Sequence, residues 1–156
     1  MRVFLLSALL TAGCFAQTFG TRRLNADRST FQGDTSPKSF ILRIEPHAKG
    51  EVVTFERVEA DGRTTSSSTI LYLDEKPRDF QDLGCSGTQS SRRVDSRTVE
   101  ILRKCESGAW IRLVRRSVAQ QQDLRLDITE QHTDGRRFER CLVLEKQSSS
   151  GIAPKN

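Results

Sequence analysis

The feature that most constrains this chain is a side-chain alternation of period two, cut at short intervals by tight turns. Phe40, Leu42 and Ile44 share one face of a segment whose other face carries Ile41, Arg43 and Glu45. Leu124, Leu126 and Ile128 are opposed in the same way by Arg125, Asp127 and Thr129. Val99 with Ile101, and Ile111 with Leu113, repeat the pattern. Successive side chains of a strand point to opposite faces, so this period marks strands with one buried face. The segments are separated by Lys49-Gly50, Asp61-Gly62, Asp74-Glu75-Lys76-Pro77, Asp95-Ser96, Ser107-Gly108, Gln120-Gln121-Gln122 and Asp134-Gly135. Asp-Gly is a strong hairpin signal, because both central positions of a type I′ turn need positive φ. Apart from a short turn expected at Ala26 to Thr30, no segment after residue 16 has a helical period.

The expectation is an all-β fold, an antiparallel up-and-down meander of about 8–10 strands. Such a meander must bury its apolar face, and closing into a barrel also removes its exposed edges. The chain of 156 residues suits one domain, placed at 17–146. Residues 32–38 read as a loop, and the Ser-rich, polar stretch 147–156 as a disordered tail. Apolar residues make up 35% of the chain, a lean core that excludes a large multi-layer enzyme.

The first sixteen residues have a different logic. Met1-Arg2 is a short positive start, Val3 to Ala12 is apolar but for Ser7 and Thr11, and Cys14-Phe15-Ala16 places small residues before Gln17. This is the layout of a secretory signal peptide, 1–16, and the apolar run is too short for a membrane-spanning helix. It predicts a secreted or periplasmic protein. A second reading uses Leu10-Thr11-Ala12-Gly13-Cys14 as a loose lipobox, with Cys14 lipidated and the chain anchored in the cell envelope. Beyond residue 16 no stretch is apolar enough to span a membrane.

The net charge is +5, carried by 19 Arg and only 6 Lys, with doublets at Arg22-Arg23, Arg92-Arg93, Arg115-Arg116 and Arg136-Arg137. The charges are spread along the chain among Asp and Glu, without aromatics to stack bases, so nucleic acid is not expected as a partner. Three cysteines follow the signal segment. If Asp95-Ser96 turns a hairpin, Cys85 and Cys105 fall nearly opposite each other, within disulfide reach. That predicts a Cys85–Cys105 bridge with Cys141 free, three buried thiols being the alternative.

Several short motifs carry a family resemblance. Gly20-Thr21-Arg22-Arg23-Leu24-Asn25, followed by Ser29-Thr30-Phe31, resembles the opening of small exported bacterial lipocalin-like (calycin-type) β-barrel proteins. Tyr72-Leu73-Asp74-Glu75-Lys76-Pro77, Arg93 to Glu100 and Val143-Leu144-Glu145-Lys146 extend it. The resemblance implies a lipocalin-like barrel and no reaction. Where that family opens Gly-x-Trp-x-Leu-Asn, this chain has Arg22 in place of the Trp that plugs the closed end. A looser floor, or a displaced first strand, is the expectation.

Strand parity nominates a site. Arg103 shares the face of Val99 and Ile101, Arg115 that of Ile111 and Leu113, and Arg140 that of Phe138 and Leu142; Ile70 brings Tyr72 with it. With turns as registers, the three arginines fall at similar heights. Buried charges need acids or a bound anion, and a guanidinium fork matches a carboxylate. The candidate is a pocket for a small hydrophobic or carboxylate ligand, anchored by Arg103, Arg115, Arg140 and Tyr72 and walled by Phe40, Phe55, Leu113 and Leu126. The Ser and Thr run Thr64 to Thr69 leaves room for it. No catalytic residue, metal site or cofactor is expected. His47 and His132 stand beside turns, Cys141 is mid-strand, and no ligand spacing joins them. The function expected is that of an exported, non-enzymatic ligand-binding barrel. The alternative is an interaction protein with a filled barrel, whose Arg-rich outer surface binds an acidic partner or envelope component.

Overall fold

Ten strands follow one another in the computed structural model, which describes residues 18–32, 36–82, 84–118 and 122–147. They are β1 (Gly20–Phe31), β2 (Ser39–His47), β3 (Gly50–Val58), β4 (Thr64–Leu71), β5 (Arg78–Asp82), β6 (Cys85–Arg93), β7 (Thr98–Cys105), β8 (Trp110–Ser117), β9 (Leu124–Gln131) and β10 (Arg137–Lys146). The signal segment 1–16 and all of the expected tail except Gln147 lie outside the described residues. So do Gln120 and Gln121 of the glutamine turn.

The sheet order is β4-β3-β2-β1-β10-β9-β8-β7-β6-β5. Pairing of β1 with β10 joins the two ends of the chain and curls the meander into a nearly closed antiparallel barrel. The opening is a seam between β4 and β5, the two outermost strands of that order. Side chains stitch it: Gln89 Nε2 of β6 donates to Thr69 Oγ1 of β4 at 3.0 Å, and Ser91 Oγ accepts from the Leu73 N–H at 3.1 Å.

Three hairpins at one end share a single turn geometry. Glycine N–H groups of Gly62, Gly108 and Gly135 donate back to the carbonyls of Glu59, Cys105 and His132. Each glycine has φ near +90°, a region costly for residues with a Cβ. Asp61, Ser107 and Asp134 cap these turns by accepting from the N–H two residues on. Only the glycine is left-handed, so these are type I turns closed by a glycine, and the I′ expectation for Asp-Gly does not hold. The turn expected at Ala26 to Thr30 is a bulge inside β1. Register moves from Asn25 opposite Val143 to Thr30 opposite Cys141, and the orphaned Val143 N–H donates to Ser29 Oγ at 2.9 Å.

The ends of the barrel differ. Arg22, Ile44, Glu51, Leu71, Val99, Leu124 and Leu144 are its most deeply buried residues. The ladders put Glu51 opposite Leu71 and Leu124 opposite Leu144, at the end away from the three glycine hairpins. This filled end is the floor, and the hairpin end is the mouth. Backbones approach closely beside the floor, where a Cβ on Gly50 would sit 1.9 Å from the Leu71 carbonyl oxygen.

Near the mouth, Cys85 and Cys105 form the expected disulfide, with Cα atoms 5.1 Å apart, and Cys141 is free. The register is one step from that expected: Gly87 stands opposite Cys105, so the bridge runs diagonally. The bridge closes a sequence separation of 20 residues. Replacing both cysteines with alanine is expected to lower unfolding free energy by about 3 kcal/mol, measured by urea denaturation.

Candidate functional site

Strand parity aims a contiguous set of apolar side chains into the barrel. Phe40 and Leu42 come from β2, Val53 and Phe55 from β3, Leu113 from β8 and Leu126 from β9. They wall a cavity of about 280 Å³ above the floor. The rings of Phe40 and Phe55 lie nearly parallel, with centroids 6.1 Å apart. That volume is at the small end of the ~300–1,000 Å³ typical of ligand pockets.

Of the nominated residues, Phe40, Phe55, Leu113, Leu126, Arg103, Arg115 and Arg140 all line this cavity. Tyr72 does not. On β4 the inward residues are Thr65, Thr69 and Leu71, so Ile70 and Tyr72 have the opposite parity. Ile70 and Leu71 are apolar neighbours on opposite faces, and choosing Ile70 as the inward one put Tyr72 on the wrong side. Its ring instead lies against the Arg78 guanidinium, 3.8 Å from the ring centroid, while Arg78 holds Asp74 with two 2.7 Å hydrogen bonds.

The three inward arginines do not share a height. Arg103 stands opposite Ile111 near the mouth, and Arg140 opposite Ile128. Arg115 stands opposite Val99 beside the floor. Arg103 and Arg115 are equally far along β7 and β8, but those strands run in opposite directions. Four residues of β8 separate the Ile111 row from Arg115, about 13 Å at the usual strand rise.

At the mouth each inward arginine has an acid. Arg140 places Nη1 and Nη2 on the two oxygens of Glu130, at 3.0 and 3.3 Å. Arg103 lies 3.5 Å from Asp82, donates from Nε to Gln89 Oε1 at 3.0 Å, and covers the Phe80 ring. Arg57 pairs with Glu59 at 2.9 Å. All six charged residues border the cavity, in three balanced pairs.

The floor is built around a shared carboxylate. Glu51, 1% exposed, accepts from Arg115 Nη2 at 2.5 Å and from Arg93 Nη2 at 2.8 Å. Two guanidiniums thus share one carboxylate. Arg115 is 3% exposed, and its Nη1 is buried without a hydrogen-bond partner. Burial pushes the Arg115 pKa down, against the pull of Glu51. Arg22, where the resembled family has Trp, is 0% exposed and donates from Nη1 to the Thr18 carbonyl at 2.8 Å. Burial first, and then the charge of Arg115, lower its pKa to about 10 against the pull of buried Asp123, so it stays charged at neutral pH. The expected looser floor is not found, and β1 keeps its ladder to β2, with Arg22 opposite Leu42. Sequence reading missed Glu51, which has the parity of Val53 and Phe55; that shared face was the available signal.

His47, His132 and Cys141 do not line the cavity, although His132 Nε2 lies 3.7 Å from Glu130 at its border. His47 Nδ1 accepts from the Lys49 N–H, and exposed His132 packs edge-on against Phe138. Burial and a hydrogen bond to Asp127 raise the pKa of the Cys141 thiol, which keeps it a poor nucleophile. Among the described residues, no group of three or more His, Cys, Asp and Glu could hold a metal ion.

No protein-family model matches the chain, and no curated protein matches it in sequence. Solved structures do match in shape. A Schistosoma mansoni fatty acid binding protein in complex with arachidonic acid superposes with a TM-score of 0.54 at 9% identity, over 87% of this chain and 100% of that one. Zebrafish ileal bile acid-binding protein complexed with cholic acid gives 0.51 at 9% identity, over 84% and 99%. This chain therefore has the calycin-like barrel fold of those proteins.

Glu51→Gln removes the carboxylate that buried Arg115 and half-buried Arg93 share, and is expected to cost about 3–5 kcal/mol in urea unfolding. Glu100 also holds two arginines, Arg92 and Arg112, but both are half exposed on the outer surface. Glu100→Gln is expected to cost no more than about 1 kcal/mol by the same measurement.

Proposed function

We propose that this protein is an exported, non-enzymatic carrier or sensor that binds a small amphipathic carboxylate inside its barrel. The observation that carries the reading is Arg115, a residue that borders an apolar cavity and whose buried Nη1 lacks a hydrogen-bond partner. An unpaired buried donor is costly, and an incoming carboxylate oxygen would relieve that cost with a charge-assisted bond. The apolar walls would take the hydrocarbon part. The fold it shares with a fatty acid binding and a bile acid-binding protein supports the reading. A hollow barrel also favours it over the filled-barrel interaction protein.

Within the proposed site, Arg115 is the anchor, Phe40, Phe55, Leu113 and Leu126 are the walls, and Arg103 and Arg140 belong to the mouth. Arg115→Met leaves Glu51 paired with Arg93, so the fold is expected to survive. Calorimetric titration with decanoate is expected to show at least a tenfold weaker Kd for this variant. Unchanged affinity overturns the reading.

Export is the second part of the proposal, and it rests on residues 1–16. N-terminal sequencing of protein recovered outside the cytoplasm is expected to begin at Gln17. A chain beginning at a lipid-modified Cys14 would mean an envelope anchor, and one retaining residues 1–16 would overturn export.

A further inference from the structure

The outer wall of the barrel is not uniform. Strands β6 to β9 turn five cations outward, Arg92, Lys104, Arg112, Arg116 and Arg125, and two acids, Glu100 and Asp127. The outer faces of β2 to β4 carry one arginine, Arg43, against two acids, Glu45 and Glu56. Glu75, Asp95, Arg97 and Glu106 stand in the connections around the β6–β9 wall, and Arg137 and Glu139 pair with each other at its β10 edge.

On the β6–β9 wall the acids lie beneath the cations. Glu100 holds Arg92 Nη2 and Arg112 Nε, each at 2.5 Å. Asp127 holds Arg116 Nη1 and, at 2.9 Å, Arg125 Nε. The Glu100 and Asp127 side chains are 14% and 29% exposed, and the four arginine side chains are each about half exposed. Both acids stand opposite Val114, which is buried on this outer face. The four guanidiniums therefore surround Val114 in a patch spanning four strands, about 14 Å across and about 13 Å along β8. Each carboxylate fixes two of these side chains, so less rotamer freedom is lost when they bind. Its bonds occupy one or two of the five N–H groups on each guanidinium. Toward the mouth, Leu102, Ala109 and Trp110 line a shallow outer groove between Lys104 and Arg112.

We propose that the outer wall of β6 to β9 docks on an anionic phospholipid bilayer, with the four arginines on lipid phosphates and Trp110 in the headgroup layer beside them. A guanidinium fork matches two phosphate oxygens. An indole with an apolar body and one N–H suits the boundary between headgroups and acyl chains, and Leu102 adds apolar area next to it. The wall of a barrel is convex. A folded partner would need a matching concave surface for good complementarity, whereas fluid headgroups gather around such a wall. Docking by this wall does not depend on what the cavity holds.

Trp110 is the single tryptophan of the chain, so its fluorescence reports on this face directly. The purified protein is mixed with vesicles of phosphatidylcholine alone, or of equal parts phosphatidylcholine and phosphatidylglycerol, and followed by cosedimentation and by Trp emission. Binding is expected to be at least about tenfold tighter to the anionic vesicles, to weaken as salt is raised, and to shift Trp110 emission to the blue. Arg112→Gln with Arg116→Gln is expected to weaken it at least about tenfold. Arg43→Gln, on the opposite wall, is expected to bind about as tightly as the unaltered protein. Equal binding to the two vesicles, as the apolar stretch near the N-terminus would give, overturns the inference, and so does no binding at all. Anionic binding without a Trp110 shift, or lost as much by Arg43→Gln as by the double variant, overturns the assignment to this wall. If the double variant does not fold, the Trp110 shift of the unaltered protein decides.

Discussion

One buried carboxylate organises the deep end of this barrel. Glu51 enters from the start of β3 and holds Arg115 from β8 and Arg93 from β6, strands that lie far from β3 in the sheet order. The ladders of β3 and β8 run through different neighbours, so the Arg115 pair ties opposite walls directly, and the Arg93 pair reaches across the seam. A charge in that position is costly unless paired and hydrogen-bonded. Its presence therefore demands the arginines, and the arginines demand it. The surrounding residues of the floor, Ile44, Leu71, Val99, Leu124 and Leu144, exclude the water that would otherwise weaken the attraction.

That arrangement leaves the rest of the barrel free to be hollow. Packing at the floor and the disulfide near the mouth hold the two ends, and the middle is walled by apolar side chains without being filled. The charge pattern follows the same division. Arg115 meets Glu51 where water is excluded, and Arg57, Arg103 and Arg140 each meet an acid where the barrel meets solvent.

Much of this was legible from the residues. Period-two alternation and glycine turns named the strands, and parity put seven of the eight nominated side chains into one cavity. The disulfide pairing came from counting across the Asp95-Ser96 turn. Failures occurred where local pattern was ambiguous. Tyr72 follows Ile70-Leu71, where either residue can be the inward one. Strand β6 offers Gln89, Ser91 and Arg93 on its inward face, so no apolar period marks it. Glu51 reads as a surface residue at a turn, although Val53 and Phe55 share its side of the strand.

The sequence by itself determined the class of fold, the order of the strands and, where one face is apolar, which face looks inward, because these follow from periods and turns encoded locally. Tertiary structure alone decided height and partnership. Arg103 and Arg115 are matched in position along their own strands and lie at opposite ends of the cavity, because adjacent strands are antiparallel. Which acid meets which arginine depends on closure through β1 and β10, which brings strands remote in sequence across a common interior. No local rule carries that information, since a charge is recognised as buried only when the opposite wall is in place.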